Sequence, residues 1–230
     1  MKKIKTALIS VSDKENLKPI LNVLKKNNIK VVSSGGTYKE IKKLKFNCIE
    51  VSDFTNSPEV LEGRVKTLHP KIHAGILNKR GSKLHLKDLR VNNFENIDLV
   101  IVNFYPFENT LNRTNNHKKI IENIDVGGPA MVRSAAKNYK DVTVITSTEQ
   151  YSELIDELIK YKGCTSLGFR EKLSRIAFTE TAYYDSVISD YFNKITNTKF
   201  PKKKILYGNL IETLRYGENP HQESGIYSRK

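Results

Sequence analysis

The hydrophobic pattern of the chain alternates between two periods. Short stretches such as residues 6–11 and 98–105 are apolar almost throughout, whereas other segments repeat their apolar residues every three or four positions. The first kind predicts buried strands and the second predicts amphipathic helices. Predicted strands occupy residues 6–11, 29–33, 46–51, 98–105 and 142–146. The first predicted helix has its apolar positions at Leu17, Ile20, Leu21 and Leu24. Four more predicted helices span residues 38–44, 117–123, 149–161 and 169–195.

The segments between these elements are less regular. Residues 57–63 (SPEVLEG) predict a short helix, and residues 83–94 are weakly helical. Residues 63–77 (GRVKTLHPKIHAGIL) form a polar excursion rich in turn residues, and a loop rich in Asn and Thr follows the strand at 98–105.

Strands that are apolar throughout and separated by helices are typical of a parallel sheet covered on both faces. A chain of 230 residues with 38% hydrophobic residues suffices for one sizeable α/β domain. Residues 196–204 (TNTKFPKKK) have the composition of a linker, and residues 205–230 are too short to form a core. We predict an α/β domain at 1–195, a linker at 196–204, and a tail or the start of another domain at 205–230.

Composition narrows the class of protein. No apolar run has membrane-spanning length, and the basic N-terminus turns polar too early for a signal peptide, so we expect a cytoplasmic protein. Cys48 and Cys164 stand alone and predict neither a disulfide framework nor a CxxC metal site. The net charge of +14 comes from 30 Lys and 9 Arg spread over every segment, which favours attraction of a small anionic substrate over nucleic-acid binding.

Residues 124–138, which read IDVGGPAMVRSAAKN, contain the most distinctive motif. Adjacent glycines followed by Pro129 predict a strand end, a glycine turn and a helix N-terminus that points free amides at a ligand. Asp125 before the turn and Lys137 beyond it add a carboxylate and an ammonium, which suggests proton transfer. The structural alternative is a tight βα corner with a surface helix.

Two strand-to-helix turns near the N-terminus, residues 10–14 (SVSDK) and 33–37 (SSGGT), carry hydroxyls, glycines and a lysine. Such turns meet at the carboxyl ends of adjacent parallel strands, where hydroxyls, amides and a lysine can hold a phosphate. Neither turn has the spacing of a Walker A or dinucleotide motif. The alternative is that these serines and threonines only cap helices.

Two further segments carry candidate binding groups. Residues 63–70 (GRVKTLHP) place Arg64, Lys66 and His69 in one short loop that can present cations to an anionic or carbonyl oxygen, unless it is simply a solvated basic loop. His69 and His73 are four apart, but Pro70 and the lack of a third ligand disfavour zinc. Asn103 and Tyr105, at the end of the strongest strand, can recognise a heterocycle, although a core tyrosine is the commoner case.

The segments SVSDK, SSGGT, EGRVKTLHPKIHAGIL, NFYPF, IDVGGPAMVRSAAKN and LRYGENPHQ occur in this order in the bifunctional purine-biosynthesis enzymes that combine AICAR transformylase with IMP cyclohydrolase. The chain resembles their cyclohydrolase domain over about residues 1–200. The resemblance implies a methylglyoxal-synthase-like three-layer α/β fold with a mainly parallel sheet. It also implies closure of 5-formamidoimidazole-4-carboxamide ribonucleotide to inosine monophosphate (IMP), without metal or cofactor.

The same resemblance implies roles for individual residues. Lys66 would stabilise the oxyanion with help from Tyr105, and Asp125 and Lys137 would transfer protons, in an order that the sequence leaves open. Ser10, Ser12, Lys14, Ser34, Gly36 and Thr37 would hold the 5′-phosphate, and Arg64, Thr67, Asn103, Val126, Gly127 and Gly128 would surround the base and the reacting arm.

For residues 205–230 the resemblance implies the start of the transformylase domain, with Arg215 and Tyr216 from its ribonucleotide site. We expect no transformylase activity from this chain, because the folate-binding part would lie beyond residue 230; 10-formyltetrahydrofolate would serve only a full-length parent. Glu180 stands where the family pattern has histidine, outside the predicted site. Family members form homodimers, so a homodimer is expected. The alternatives are a ligand-sensing module of the same fold without catalysis, methylglyoxal synthase itself and, third, a nucleic-acid-binding protein.

Overall fold

The strands and helices were located in a computed structural model of the chain, which describes residues 1–215, 217, 219 and 221–229. The strands are β1 (Lys2–Lys3), β2 (Thr6–Val11), β3 (Lys30–Ser33), β4 (Ile49–Glu50), β5 (Leu99–Asn103), β6 (Thr143–Ile145), β7 (Cys164–Thr165), β8 (Asn209–Leu214) and β9 (Ser224–Ser228). The helices are α1 (Leu17–Lys26), α2 (Gly35–Lys43), α3 (Val51–Thr55), α4 (Pro70–Leu77), α5 (Lys83–Val91), α6 (Phe107–Arg113), α7 (His117–Glu122), α8 (Gly127–Lys137), α9 (Tyr151–Lys160) and α10 (Leu167–Ile195), with short 3₁₀ turns at Leu61–Gly63 and Thr148–Gln150.

The central sheet has five parallel strands in the order β4-β3-β2-β5-β6. Parallel neighbours need crossover connections, and helices supply them here. Strands β1 and β7, and separately β8 and β9, form antiparallel pairs. The α/β fold with a mainly parallel sheet that the sequence predicts is confirmed.

The middle strands of the sheet form the core. Leu8 and Ile9 of β2 and Val100 and Ile101 of β5 are at most 1% exposed, as expected for strands covered on both faces. The four predicted apolar positions of α1 are all buried, and this helix packs against α9. Helix α4 packs against α8, which in turn lies on β5 and β6. Helix α8, whose first turn belongs to the site described below, is therefore anchored to the core.

Several predicted elements are wrong in kind or extent. Only Ile49–Glu50 of the predicted strand 46–51 is paired, and helix α3 begins directly after it. The excursion at 63–77 contains helix α4, whose N-cap His69 and first residue Pro70 are helix-start signals. The loop after β5 contains helix α6. No strand precedes the glycine corner of residues 124–138, since that corner joins helix α7 to helix α8.

The chain divides into two compact units, residues 1–181 and residues 182–230, and the division falls within α10. The first unit contains the parallel sheet. In the second, the Asp190 carboxylate accepts hydrogen bonds from the Tyr207 hydroxyl at 2.9 Å and from Arg229 at 3.0 Å. The Arg229 guanidinium also lies 4.4 Å from the centre of the Tyr207 ring. These contacts hold the β8–β9 ribbon of this unit to the helix segment that carries Asp190.

Candidate active site

The strand order predicts where a ligand binds. From β2 the chain proceeds outward through β3 to β4, and then returns to the other side of β2 to form β5 and β6. The order therefore reverses between β2 and β5, and the crevice at the carboxyl ends of such a pair is where open α/β sheets bind ligands. A cavity of about 540 Å³ lies at this point, lined by residues that follow β2, β3 and β5 and by the start of α8.

One side of the cavity is the predicted phosphate cradle. Ser10 lies near the end of β2 and Ser12 directly follows it, while Ser34 and Gly36 lie at the start of α2, so two adjacent strand ends contribute. Within the described part of the chain, the three serine hydroxyls make no hydrogen bond. Gly35 has φ +54°, a left-handed conformation that suits glycine and turns the chain into α2. The start of α2 lines the cavity, and a helix N-terminus attracts anions.

Two predicted cradle residues play different parts. The Thr37 hydroxyl donates to the Val11 carbonyl at 2.9 Å and accepts from the Val11 amide at 3.0 Å, so it ties α2 to the end of β2. The Lys14 ammonium donates to the Ser12 carbonyl at 3.0 Å and does not line the cavity. A Cβ placed on Gly36 would lie 3.5 Å from Lys14 Cε, so the lysine lies beside the start of α2.

Asn103 and Tyr105 come from the end of β5. The Asn103 side-chain oxygen accepts from the amides of Ser12 at 2.6 Å and Asp13 at 2.9 Å, and its nitrogen donates to the Asp13 carbonyl at 3.0 Å. Its amide thus shapes the turn after β2, although Asn103 also lines the cavity. Tyr105 is 50% exposed and lines the cavity, so it is not a core tyrosine.

The loop that carries the predicted cations is a tight hairpin, residues 60–65. Val60 and Val65 close it with paired backbone hydrogen bonds of 3.1 and 3.3 Å. Inside it, Leu61 and Glu62 both have φ +55° and Gly63 has φ +87°. A left-handed conformation is costly for residues with a side chain, and such strain is often found at binding sites. We call residues 60–65 the strained hairpin.

Arg64 within this hairpin and Lys66 directly after it both meet carboxylates that the sequence did not suggest. Arg64 Nε donates to Glu122 Oε1 at 2.9 Å, and a second Arg64 nitrogen pairs with the other oxygen of the same carboxylate. This hydrogen bond and the charge of Glu122 raise the pKa of Arg64. Lys66 Nζ lies 2.9 Å from Glu59 Oε2. Glu122 is far away in sequence, at the end of α7, so no local pattern could have indicated it.

The glycine corner holds the predicted acid–base group. Asp125 Oδ1 accepts a hydrogen bond of 2.8 Å from the Gly128 amide, in the first turn of α8. Burial raises the pKa of Asp125, and this effect outweighs the hydrogen bonds from the Gly128 and Tyr105 amides, which lower it. A carboxyl group whose pKa is raised toward neutrality is suited to exchange protons. A Cβ on Gly128 would collide with this carboxylate, so the close approach requires glycine.

The structure separates Lys137 from this corner. Lys137 is the last residue of α8, it is exposed, and it does not line the cavity. At about 1.5 Å per residue, it lies about 15 Å along the helix from Gly127. The next residue, Asn138, is buried and donates to the carbonyls of Ile76 at 2.7 Å and Asn78 at 2.9 Å, near the end of α4. The second half of this motif therefore supports the fold, and the predicted pair of Asp125 with Lys137 does not form within the chain.

Two further candidates of the first unit, His69 and His73, do not line the cavity. His69 Nδ1 accepts from the Lys71 amide at 3.1 Å, and His73 Nδ1 lies 3.1 Å from the Ser134 hydroxyl. Among the described residues, no group of three or more His, Cys, Asp and Glu side chains is arranged to hold a metal, and no helix is long and apolar enough to cross a membrane. Arg215 is exposed in the second unit, and Tyr216 lies outside the described residues.

Of the sixteen residues predicted for the cyclohydrolase site, the structure brings fourteen to the cavity wall. They are Ser10, Ser12, Ser34, Gly36, Thr37, Arg64, Lys66, Thr67, Asn103, Tyr105, Asp125, Val126, Gly127 and Gly128. The wall also includes residues that were not among the predicted site residues, namely Gly35, Glu62, Gly63, Ile121, Glu122, Ile124 and Met131.

Comparison with known proteins shows family matches along most of the chain. Residues 16–130 match the MGS-like domain family, and residues 135–230 match the family described as AICARFT/IMPCHase bienzyme. Similar proteins include the bifunctional purine biosynthesis protein PurH of Prochlorococcus marinus strain MIT 9301, 50% identical over 96% of this chain and 42% of the relative. The corresponding protein of Bradyrhizobium diazoefficiens is 43% identical over 99% of this chain and 43% of its own length.

A solved structure described as the crystal structure of ForH superposes with a TM-score of 0.73 at 28% identity, covering 82% of this chain and 99% of that one. The chain spans a little over two fifths of the length of the curated relatives named above. On these matches and on the parallel-sheet fold, the chain belongs to the AICARFT/IMPCHase bienzyme family of purine biosynthesis and carries an MGS-like domain.

Proposed function

We propose that this chain closes 5-formamidoimidazole-4-carboxamide ribonucleotide to inosine monophosphate with loss of water. The observation that carries the proposal is the make-up of one cavity. At the switch point of the sheet it combines a hydroxyl and amide cradle suited to a phosphate with the ammonium of Lys66, the phenol of Tyr105 and the carboxyl group of Asp125. These are the groups that an intramolecular dehydration needs.

In the proposed reaction, the carboxamide nitrogen attacks the formyl carbon of the same molecule. An amide nitrogen is a weak nucleophile and a formamide is a weak electrophile, so the two groups must be held together and the developing oxyanion must be stabilised. We assign oxyanion stabilisation to Lys66 with help from Tyr105. Asp125 accepts the proton from the attacking nitrogen. The departing hydroxyl takes a proton from a cationic or phenolic group of the cavity, because Lys137 lies at the far end of α8.

Substrate contacts are assigned among the residues that line the cavity. We assign the 5′-phosphate to the serine hydroxyls, Gly36 and the amides that begin α2, with Lys14 alongside. We assign the base and its reacting arm to Arg64, Thr67, Asn103 and the backbone of residues 126–128, which line the same cavity. The net charge of +14 favours the approach of such an anion.

Other parts of the proposal rest on the family. Ring closure breaks and forms bonds within one molecule and needs no redox group, metal or folate. Formyltetrahydrofolate belongs to the transformylase step, to which we assign residues 205–230 as part of another domain, with residues 1–195 as the cyclohydrolase domain and 196–204 as the linker. The homodimer and the cytoplasmic location stay predictions.

The proposal is tested by adding the purified chain to the formylated ribonucleotide and following the ultraviolet change as the second ring closes. Replacing Lys66 by methionine is expected to lower kcat about 10²-fold, because a donor aimed at the oxyanion is lost. Lys172, an exposed lysine paired with Glu153 at 2.6 Å, provides the matched control, and Lys172→Met is expected to retain wild-type activity. Binding of the nucleotide by the wild-type chain without closure would instead support the ligand-sensing alternative.

A pair of glycines in the corner gives a finer test. A Cβ on Gly128 collides with the Asp125 carboxylate, whereas a Cβ on Gly127 would lie 2.7 Å from the Thr67 hydroxyl, which can rotate away. Gly128→Ala is therefore expected to lower kcat about 10-fold more than Gly127→Ala, because displacing a reacting group by about 1 Å is costly. Equal activities of the two variants, measured with the same assay, would contradict the assigned position of Asp125.

A further inference from the structure

The Lys66 side chain contacts a carboxylate that lies outside the cavity wall. Its ammonium lies 2.9 Å from Glu59 Oε2, and both side chains are about one-third exposed. Glu59 does not itself line the cavity, whereas Lys66 does. The ammonium of a residue that lines the cavity is thus contacted by a carboxylate that does not line it.

Two glycines complete the surroundings of this ammonium. A Cβ on Gly63 would lie 2.5 Å from Lys66 Cε and 2.9 Å from Nζ, and a Cβ on Gly35 would lie 3.3 Å from Nζ. The two glycines belong to different elements, the strained hairpin and the first turn of α2. The Lys66 ammonium thus occupies a slot between two glycine backbones, with a carboxylate at one end.

The strained hairpin connects Glu59 to Lys66. Glu59 immediately precedes Val60 and Lys66 immediately follows Val65, and the paired hydrogen bonds between these two valines bring the flanking side chains together. The three successive residues with positive φ make this reversal possible within six residues. The strained hairpin therefore brings Glu59 next to Lys66 and contributes to the position of the Lys66 ammonium.

We propose that Glu59 is a positioning residue that holds the Lys66 ammonium in this slot for the reacting groups, an inference that rests on the proposed ring closure. A lysine has four rotatable bonds, and holding its end in one place costs conformational entropy that a hydrogen-bonded carboxylate can offset. Glu59 acts only through Lys66 and does not touch the substrate. Its contribution therefore depends on the presence of Lys66.

The test is a double-mutant cycle on the full chain with the ring-closure assay. Glu59→Gln is expected to lower kcat/KM about 10- to 100-fold, the usual cost of a misplaced catalytic group. The same change in a Lys66→Met background is expected to alter kcat/KM less than about 2-fold, because interacting residues are non-additive. Glu59→Asp, which keeps the charge, is expected to recover part of the loss.

The exposed pair of Glu153 with Lys172 supplies the control, since Glu153→Gln makes the same change in charge away from the cavity and is expected to retain full activity. Wild-type activity of Glu59→Gln, or equal losses in both backgrounds, would overturn the proposal.

A second readout does not depend on turnover. Lysine labelling by trinitrobenzenesulfonate, mapped by mass spectrometry, is expected to modify Lys66 several-fold faster in Glu59→Gln than in the wild type. If the wild-type chain forms no inosine monophosphate, the proposed function fails, and this labelling decides the role of Glu59 on its own. Unchanged labelling of Lys66 would then overturn it.

Discussion

Replacing Asp125 by asparagine is expected to lower kcat for ring closure by about 10²- to 10⁴-fold, the range in which general acid–base groups contribute. Asparagine is close in shape, and its side-chain oxygen can still accept the 2.8 Å hydrogen bond from the Gly128 amide. The loss should therefore report the missing proton transfer, with KM for the nucleotide little changed. Activity within a few-fold of wild type would remove Asp125 from the mechanism.

The pH dependence gives an independent check. Burial raises the pKa of Asp125, so the carboxylate needed as a base is lost at a higher pH than for an exposed aspartate. The acidic limb of the wild-type profile of kcat/KM is expected at a higher pH than an exposed aspartate would give, and it is expected to be absent in Asp125→Asn. A variant profile that keeps this limb would assign it to another group.

The same raised pKa has a consequence for stability. The folded chain binds the proton of Asp125 more tightly than the unfolded chain does. The stability that this proton contributes is fully present at pH values below the pKa of Asp125 in the unfolded chain. It is lost as the pH rises through the pKa of Asp125 in the folded chain. Asp125→Asn is therefore expected to unfold at higher urea concentration than wild type near neutral pH. The difference should shrink as the pH falls toward about 4.

Asp141 provides the opposite case for this measurement. Burial raises the pKa of Asp141, but hydrogen bonds from the Lys2 side chain and the Arg80 amide, with the charges of both residues, outweigh burial and lower it. The stability that the Asp141 carboxylate contributes is present at pH values above its pKa in the unfolded chain. It is lost as the pH falls through its pKa in the folded chain. Asp141→Asn is accordingly expected to destabilise the chain near neutral pH. A shift in the same direction for both variants would contradict this account.

Replacing Arg170 by methionine is expected to lower the free energy of unfolding by about 3 to 5 kcal/mol. This arginine is 2% exposed, and it donates hydrogen bonds to the carbonyls of Tyr139 at 2.8 Å, Thr165 at 2.6 Å and Lys140 at 3.2 Å. Methionine would fill a similar volume but would leave three carbonyls without a donor. Each carbonyl that stays buried without a hydrogen bond lowers the free energy of unfolding by about 1 to 3 kcal/mol.

The measurement is urea unfolding followed by far-ultraviolet circular dichroism, since the chain has no tryptophan. Arg175 lies on the same helix and is exposed, so Arg175→Met serves as the control and is expected to change stability by less than about 0.5 kcal/mol. Similar stabilities of the two variants would show that the carbonyls near β7 and after α8 find other donors.

The hydrophobic pattern predicted the centre of the fold because burial and sequence agree there. Strand β2 has the predicted bounds, and β5 and β6 lie within their predicted ranges, since strands covered on both faces must be apolar throughout. The hydrophobic pattern predicted the wrong element where strand pairing or helix capping determined the local structure. Strand β4 is a short edge strand, and α4 was hidden in a polar segment although Ile72 and Ile76 are fully buried.

The fold class and most residues of the cavity wall could be predicted from the sequence, because the motifs occupy strand ends and helix starts whose chemistry is local. Which motif residues meet depends on the packing of the elements and became clear from the structure. The tertiary structure placed Asp125 in the cavity and Lys137 at the other end of α8, about 15 Å along the helix from Gly127. It also brought Glu122 to Arg64 across 58 residues of sequence. Such contacts depend on how elements pack, and the order of residues along the chain does not reveal that packing.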